Sequence, residues 1–137
     1  VWSKPAASNE LLEKMEKSTM KNRGNWGEAL VAEYLRKKHY DIRDQGFRCR
    51  FGEIDLVAEK RGVLCFVEVK LRSRTDYGLP REFVTPEKQK RLRITAEYYL
   101  SRFELDCPCR FDVAEVYTTD GQYQEKYALI NYIEDAF

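Results

Sequence analysis

The sequence predicts an α/β domain, of the α+β type with a mixed sheet, whose elements follow the order α-β-β-β-α-β-β. Two segments have apolar residues at helical spacing, and five others alternate apolar and polar residues as strands do. Turn signals separate these segments. A chain of 137 residues is long enough for one core of this kind. We expect residues 1–20 to form a flexible extension or a short helix, and residues 21–137 to form a single domain.

The two predicted helices have recognisable ends. The first begins at Asn25, keeps apolar residues on one side, and ends just before His39. Histidine tolerates the left-handed backbone conformation well, so His39 is interpreted as a C-terminal cap rather than as a catalytic base. The second helix has Thr85 as its N-cap and Pro86 at its first position, and it runs to about Arg102.

The five predicted strands cover residues 41–50, 53–59, 63–71, 110–117 and 123–132. The charged turn Lys60-Arg61-Gly62 joins the second and third strands and predicts a hairpin. Residues 73–85 are predicted to form a loop, and Asp120-Gly121 a turn before the last strand. Three predicted strands therefore precede the second helix in the chain and two follow it, an order compatible with a mixed sheet.

Composition excludes several classes of protein. The chain is 43% hydrophobic and 34% charged, which is typical of a soluble globular domain. No run approaches the roughly 18 apolar residues that a membrane span needs, so we expect no membrane partner. We expect no secretory signal in residues 1–23, which lack a continuous apolar segment. The four cysteines and single histidine have poor zinc-site spacing, which favours neutral thiols in a reducing cytoplasm.

Positive charge is concentrated in the segment from Lys70 to Arg93. It contains eight basic and three acidic residues, so its local charge is 8 − 3 = +5. Such a segment suits a nucleic-acid partner, because phosphate contacts provide most non-specific affinity. A solvated basic helix face is the alternative. The candidates for phosphate contacts are Arg72, Arg74, Lys88, Lys90, Arg91 and Arg93.

Four charged residues of the predicted hairpin are expected on one face. Side chains alternate along a strand, so Glu53 and Asp55 share a face, as do Glu68 and Lys70. The opposite, apolar face consists of Ile54, Leu56, Val67 and Val69.

The turn determines which of these residues oppose each other. A two-residue loop at Arg61-Gly62 places Asp55 opposite Glu68, and Glu53 opposite Lys70. Directly opposed side chains have Cβ atoms about 5 Å apart, and like charges there destabilise the sheet. The facing carboxylates therefore indicate a bound hard cation such as Mg²⁺ (or Mn²⁺), or a raised pKa on one of them.

Lys70 lies two residues beyond Glu68 and therefore beside the same expected site. An ammonium there could orient or deprotonate a water and stabilise charge on a phosphate. Glu53 is interpreted as the partner that holds Lys70 rather than as a metal ligand. The alternative is an ordinary exposed alternation with a cross-strand ion pair. The opposed Asp55 and the basic segment favour the site.

Several motifs together resemble a known family. The string Asp55…Glu68-Val-Lys70 resembles the metal-binding core of restriction-endonuclease-like nucleases. The wider series resembles the YraN family of small bacterial proteins, which are similar to archaeal Holliday junction resolvases, and it covers about residues 21–137. The motifs are Gly27-Glu28-Ala29, Gly52-Glu53-Ile54-Asp55-Leu56, Phe66-Val67-Glu68-Val69-Lys70, Lys88-Gln89-x-Arg91-Leu92 and Arg110-Phe111-Asp112-Val113.

The resemblance implies a central sheet flanked by helices, Mg²⁺ dependence and a nucleic-acid substrate. Asp55 and Glu68 correspond to the metal ligands and Lys70 to the catalytic lysine. Glu28 matches the acidic residue that resolvase-like nucleases carry on their first helix; its alternative role is a surface charge favoured by the helix dipole. Gln89 corresponds to a supporting polar residue. Resolvase-like nucleases commonly act as dimers, so a homodimer is a further implication.

Two hypotheses about function follow. The first is a Mg²⁺-dependent endonuclease that hydrolyses DNA phosphodiester bonds, including those of branched or junction DNA. The second is a catalytically silent protein of the same fold that acts as a nucleic-acid-binding or protein-interaction module.

Overall fold

The computed structural model describes residues 24–76, 84–118 and 128–137. The described part of the first helix, α1, covers 24–37. The elements that follow are β1 (Asp41–Cys49), β2 (Gly52–Lys60), β3 (Val63–Ser73), α2 (Pro86–Arg102), β4 (Cys109–Thr118) and β5 (Leu129–Ile133). A short 3-10 turn, Arg74–Asp76, follows β3. This confirms the predicted α+β class and the order α-β-β-β-α-β-β.

The five strands form one mixed sheet in the order β1-β2-β3-β4-β5. The pairs β1/β2, β2/β3 and β4/β5 are antiparallel, and β3/β4 is parallel. A parallel pair needs a crossover connection, and α2 lies in the chain between β3 and β4. The central strand β3 therefore carries the hairpin on one side and the crossover neighbour on the other.

The two helices cover opposite faces of the sheet. On one face, α1 packs with Val31 and Leu35 against Leu56, Val67 and other buried residues. On the other face, the buried residues of α2 pack against the opposite sides of β2, β3 and β4. They form a cluster with Ile54, Val57, Leu64, Phe66, Leu92, Ala96, Tyr99 and Val113. The sheet is thus the middle layer of three, consistent with a nuclease-like architecture.

Both predicted helix caps are confirmed. His39 has φ 69° and follows the last turn of α1. Its N–H donates to Arg36 O, and the Tyr40 N–H donates to Leu35 O, each at 3.0 Å, which is the Schellman pattern. At α2, the Thr85 hydroxyl accepts a hydrogen bond from Lys88 N at 3.2 Å. These caps fix where the chain enters β1 and leaves the loop before α2.

The hairpin turn also has the predicted geometry. Lys60 pairs with Val63, and both Arg61 (φ 53°) and Gly62 (φ 79°) have positive φ, as a two-residue primed turn requires. The β2/β3 pairing then runs in the predicted register as far as Leu56 opposite Val67. Beyond that pair the two strands separate, a departure that shapes the site.

Some expectations fall outside the described residues. These are the extension at residues 1–20, the part of the predicted loop at 77–83 and the turn at Asp120-Gly121. The last strand is described from Leu129 to Ile133, so it ends one residue beyond the prediction. In the described ranges, the helices are too short or too polar to span a bilayer.

Candidate active site

Asp55 lies where β2 and β3 separate. The hydrogen-bonded ladder stops at Leu56 and Val67. Immediately beyond, the Val69 N–H donates to Asp55 Oδ2 at 2.8 Å. A carboxylate thus accepts the bond that a strand carbonyl would otherwise accept, because backbone N–H groups of a half-buried strand need a partner. The side chain of Asp55 is therefore fixed at the fork between the strands.

The fork overturns part of the predicted face assignment. Leu56, Val67 and Val69 lie in or against the cluster under α1, as their shared face requires. Ile54 belongs instead to the cluster under α2. Two residues that are two positions apart thus point to opposite faces, so regular alternation is interrupted at Asp55. Strict alternation, which placed Ile54 with Leu56, holds only while the pleat is regular.

Glu68 reaches the same fork from β3. Its side chain is 10% exposed and faces α2, from which Lys88 Nζ approaches Glu68 Oε1 to 2.6 Å. A buried carboxylate needs a counter-charge, and here a helix cation supplies it. Lys88 was expected to contact phosphate, and the structure places it on a candidate metal ligand.

Glu28 approaches Asp55 from the face covered by α1. The two carboxyl groups share a hydrogen bond. Gly46 of β1 is also close, since a Cβ on it would lie 4.0 Å from Glu28 Oε2. The close packing of α1 depends on Gly27, where a Cβ would lie 2.9 Å from Leu71 Cδ2. Glycine at this position lets the helix approach β3, and the next residue, Glu28, can then reach the fork.

Asp55 has an unusual protonation state, because it is buried close to the carboxyl groups of Glu68 and Glu28. Burial, and next the negative charge of Glu68, raise the pKa of Asp55 to about 8, although the Val69 N–H opposes this. Burial also raises the pKa of Glu28, while the bond from Asp55 lowers it. The shared proton therefore belongs on Asp55. The raised pKa expected for one of two facing carboxylates is found on this residue.

The donor set fits a hard divalent cation. In the described ranges, no group of three or more His, Cys, Asp or Glu side chains is gathered for metal binding. Mg²⁺ commonly uses only one or two protein carboxylates and completes its octahedron with water and substrate phosphate. Asp55 and Glu68 offer these two oxygen donors, and their mutual repulsion is what a cation would relieve.

Lys70 is on β3, two residues beyond Glu68, and it is not among the residues that line the cleft between the fork and α2. It is half-buried and forms no ion pair with any residue in the described ranges. Its neighbour across the parallel pair is Glu115, which is buried and bonded to Arg72 Nε at 2.9 Å. Arg72 rather than Lys70 thus pairs with Glu115, and the Lys70 ammonium has no ion-pair partner in the part of the chain that the structure describes.

Two predicted supporting residues have other partners. Glu53 was expected to hold Lys70, but the β2/β3 pairing ends before it. Glu53 instead pairs with Arg48 of β1, Nε to Oε2 at 3.1 Å, because β1 remains paired with β2 here. The Gln89 amide donates to Val84 O at 2.9 Å and supports the start of α2. The predicted Glu53–Lys70 pair is therefore wrong, and Gln89 acts on the backbone.

The predicted phosphate-binding residues divide into two groups. Arg72, Lys88 and Arg93 already have partners: Arg72 pairs with Glu115, Lys88 with Glu68, and Arg93 lies 5.0 Å from the centroid of the Phe111 ring. The exposed remainder is Arg74, Lys90 and Arg91.

A cleft of about 190 Å³ joins these features on the α2 side. Its floor is the strand fork, and its wall is α2, which comes so close that a Cβ on Gly52 would lie 3.0 Å from Thr95 Oγ1. The lining residues are Phe51, Gly52, Glu53, Asp55, Glu68, Lys88, Arg91, Leu92 and Thr95. Polar and charged groups thus converge on one side of the sheet, with an aromatic ring at the edge.

Among the described residues, sequence reasoning missed two buried charges outside the cleft, Glu115 and Asp112. The Asp112 side chain is fully buried and accepts bonds from Arg110 Nε (2.8 Å), the Asp135 N–H (2.9 Å) and the Tyr132 hydroxyl (2.5 Å). The signal in the sequence was an acidic residue between Phe111 and Val113 in an otherwise apolar strand. Such a residue in a core strand needs partners, and these come from the chain end.

Comparison with known sequences identifies relatives of this chain. The family model described as "Uncharacterised protein family UPF0102" matches residues 27–116. A UPF0102 protein of Syntrophomonas wolfei is 44% identical over 115 residues, which is 83% of this chain and 96% of the relative. One from Caldicellulosiruptor saccharolyticus is 40% identical, covering 83% and 95%. A third, from Caldanaerobacter subterraneus, is 41% identical over 127 residues, covering 90% and 100%.

Proposed function

The chain belongs to the uncharacterised protein family UPF0102, the YraN family that its motifs predicted, and we propose that it is a metal-dependent endonuclease acting on DNA. The observation that carries the proposal is the strand fork, where Asp55 is buried against Glu68 and shares a proton with Glu28. Carboxyl groups packed this closely are unfavourable in a purely structural role, because one must be protonated and another paired with a cation. They are favourable where a cation binds.

The chemistry would divide among four side chains. Asp55 and Glu68 would hold Mg²⁺ or Mn²⁺, which when bound lowers the pKa of a coordinated water and withdraws charge from a phosphate oxygen. Lys70, which is unpaired among the described residues, would donate to the scissile phosphate and stabilise the charge that develops there. Glu28 would accept the proton that Asp55 loses when the cation binds, and would then donate the hydrogen bond that orients the Asp55 carboxylate.

Lys88 has a second role in this proposal. In the absence of DNA, Lys88 neutralises Glu68, with Lys88 Nζ 2.6 Å from Glu68 Oε1. When a DNA phosphate enters the cleft, the Lys88 ammonium would pair with that phosphate and leave Glu68 free to bind the cation. Arg91, exposed at the wall of the same cleft, would hold the next phosphate along the strand.

Cleavage assays test the proposal. We expect the wild-type protein with Mg²⁺ or Mn²⁺ to cut at least one of four labelled DNAs: flap, four-way junction, single strand and duplex. Asp55→Asn should lower the rate by more than roughly a hundredfold, because loss of even an outer-sphere partner commonly lowers activity ten- to hundredfold. Asp41→Asn, an exposed matched change at the start of β1, should leave the rate unchanged. Equal cleavage rates of wild type and Asp55→Asn on all four DNAs would refute the proposed nuclease function.

A non-catalytic nucleic-acid-binding module is the second candidate. The observation that favours it is the Lys88–Glu68 ion pair, which already neutralises one of the two candidate ligands. This function predicts DNA binding that weakens with salt, no turnover, and no effect of a chelator. Sedimentation of the protein with and without DNA also tests the homodimer that the family resemblance implies.

A further inference from the structure

An aromatic side chain is exposed at the edge of the candidate active site. Phe51, in the turn between β1 and β2, is 37% exposed and lines the cleft that contains Asp55 and Glu68. The ring of Tyr98, on α2, lies edge-on to it, with centroids 5.7 Å apart and planes at 60°. Two rings from different elements thus form a fixed apolar surface, which we call the ring platform, next to the carboxylates.

Arginines lie near the ring platform, in addition to the carboxylates of the cleft. The Arg50 guanidinium lies 4.7 Å from the centroid of Phe51. Arg91, on α2, is exposed and lines the same cleft, and the exposed Arg48 is paired with Glu53. Aromatic faces bind nucleobases by stacking, and arginines beside them bind the phosphates. The combination is complementary to a nucleic-acid strand whose bases are free to stack.

A second copy of the chain fits this surface less well. In a two-fold dimer the same patch meets itself, so the surface that carries Arg50 and Arg91 would face a second copy of the same arginine-bearing surface. Interface centres are depleted in charge, and like charges placed opposite each other oppose association. A base-paired duplex fits less well too, because its base faces are buried in the stack and only its phosphates are offered.

We propose that Phe51 and Tyr98 bind an unpaired nucleobase beside the scissile phosphate, so that the substrate is DNA with a single-stranded segment at the cut. The position of the cut rests on the proposed nuclease function, but base binding by the ring platform does not. Phe51 would stack on the base, Tyr98 would hold Phe51 in place, and Arg50 and Arg91 would bind the adjoining phosphates.

Binding measurements test the proposal without requiring turnover. Asp55→Asn protein is titrated, by fluorescence anisotropy, into a labelled single-stranded oligonucleotide and into the blunt duplex of the same sequence. Adding Phe51→Leu should weaken single-strand binding roughly tenfold, since one stacked base contributes about that factor, and change duplex binding little. Phe103→Leu is the control, because Phe103 is somewhat more exposed than Phe51 (46% against 37%) but does not line the cleft.

Each other outcome overturns the proposal. Equal effects of Phe51→Leu and Phe103→Leu, or an equal loss on both DNAs, would show that the ring platform does not select unpaired bases. Absence of single-strand binding by the parent protein would do the same. A dimer that dissociates on Phe51→Leu in sedimentation would assign the surface to self-association. Circular dichroism and thermal melting of each variant establish that it is folded.

Base binding and cleavage can be tested separately. If no DNA is cut but Phe51→Leu removes single-strand preference, base binding stands and the nuclease does not. If flap and duplex are cut equally well and Phe51→Leu changes neither rate, the nuclease stands and the ring platform does not.

Discussion

Lys88 Nζ lies 2.6 Å from Glu68 Oε1, so a cation from α2 is bound to one of the two carboxylates that form the strand fork. The pair relieves part of the repulsion between Glu68 and Asp55 in the metal-free protein. A divalent cation that uses the same oxygen must compete with this ammonium or displace it.

Removing the Lys88 charge should therefore strengthen metal binding in the absence of DNA. We expect Lys88→Met to lower the Kd for Mn²⁺ roughly three- to tenfold, because a positive charge a few ångströms from the cation disfavours it. Isothermal titration calorimetry measures the change. Lys90→Met, on an exposed position of the same helix, is the control. An unchanged Kd would mean that Lys88 does not compete with the metal.

The metal-free protein should lose stability as the pH rises. The pKa of Asp55 is about 8 in the folded protein, well above the 3.8 that is ordinary for an aspartate. A raised folded-state pKa means that the folded state binds the proton more tightly, so the stabilisation is complete below about pH 4 and is lost progressively up to about pH 8. Thermal melts in EDTA at pH 6 and pH 8.5 measure this for wild type and Asp55→Asn.

The Asp55→Asn variant should show a smaller fall in Tm between these two values of pH, and a higher Tm than wild type at pH 8.5. Asn stays neutral at both, so it removes the like charge next to Glu68. The same pH dependence in both proteins would mean that Asp55 does not titrate in this range.

Glu28 should act through Asp55. Glu28→Gln keeps a group that can hydrogen-bond to Asp55 but removes the negative charge from the fork. We expect cleavage to fall roughly ten- to hundredfold, the usual effect of losing a group that orients a metal ligand, with little change in Tm. Glu33→Gln is the matched control, because Glu33 lies on the exposed side of α1, where it pairs with Arg36, which is also exposed. A drop in both variants would indicate a general effect on α1.

Asp112 should matter for stability and not for chemistry. Asp112→Asn leaves Arg110 without its bidentate carboxylate, and breaking a buried pair in this way lowers the free energy of unfolding by about 3 kcal/mol. Urea denaturation measures it. Glu134→Gln is the control, since Glu134 is exposed and its contact with Arg110 is 3.6 Å. A loss below about 1 kcal/mol for Asp112→Asn would mean that the pair contributes little.

Sequence patterns were sufficient for the elements and for the hairpin register. The turn at Arg61-Gly62 has the backbone geometry that its residues favour, and Leu56 meets Val67 as a result. Local chemistry decides such features, so one sequence is enough to predict them. The caps at His39 and Thr85 were predictable for the same reason.

Alternation failed at the point where a strand exchanges partners. The two-residue pattern predicts that Glu53 lies opposite Lys70. The strand β2 pairs with β1 from Gly52 onward but with β3 only from Leu56 onward, so Glu53 lies opposite Arg48 instead. The alternation of side chains along a strand does not show where its pairing with each neighbouring strand begins and ends. Likewise, a count of basic residues does not distinguish Arg91, which is exposed, from Arg72, which is bound to buried Glu115.

The order of strands in the sheet repeats their order in the chain, and this has a consequence for folding kinetics. The meander of β1, β2 and β3 spans only residues 41–73 and needs only short loops to close, whereas the parallel β3/β4 pair must wait for α2. Asp55 and Glu68 both belong to the meander, so their repulsion arises early, before α2 brings Lys88 to Glu68. Protons or divalent cations that neutralise this pair should therefore accelerate refolding as well as slow unfolding, so the folding rate should depend on the charge of Asp55 and Glu68.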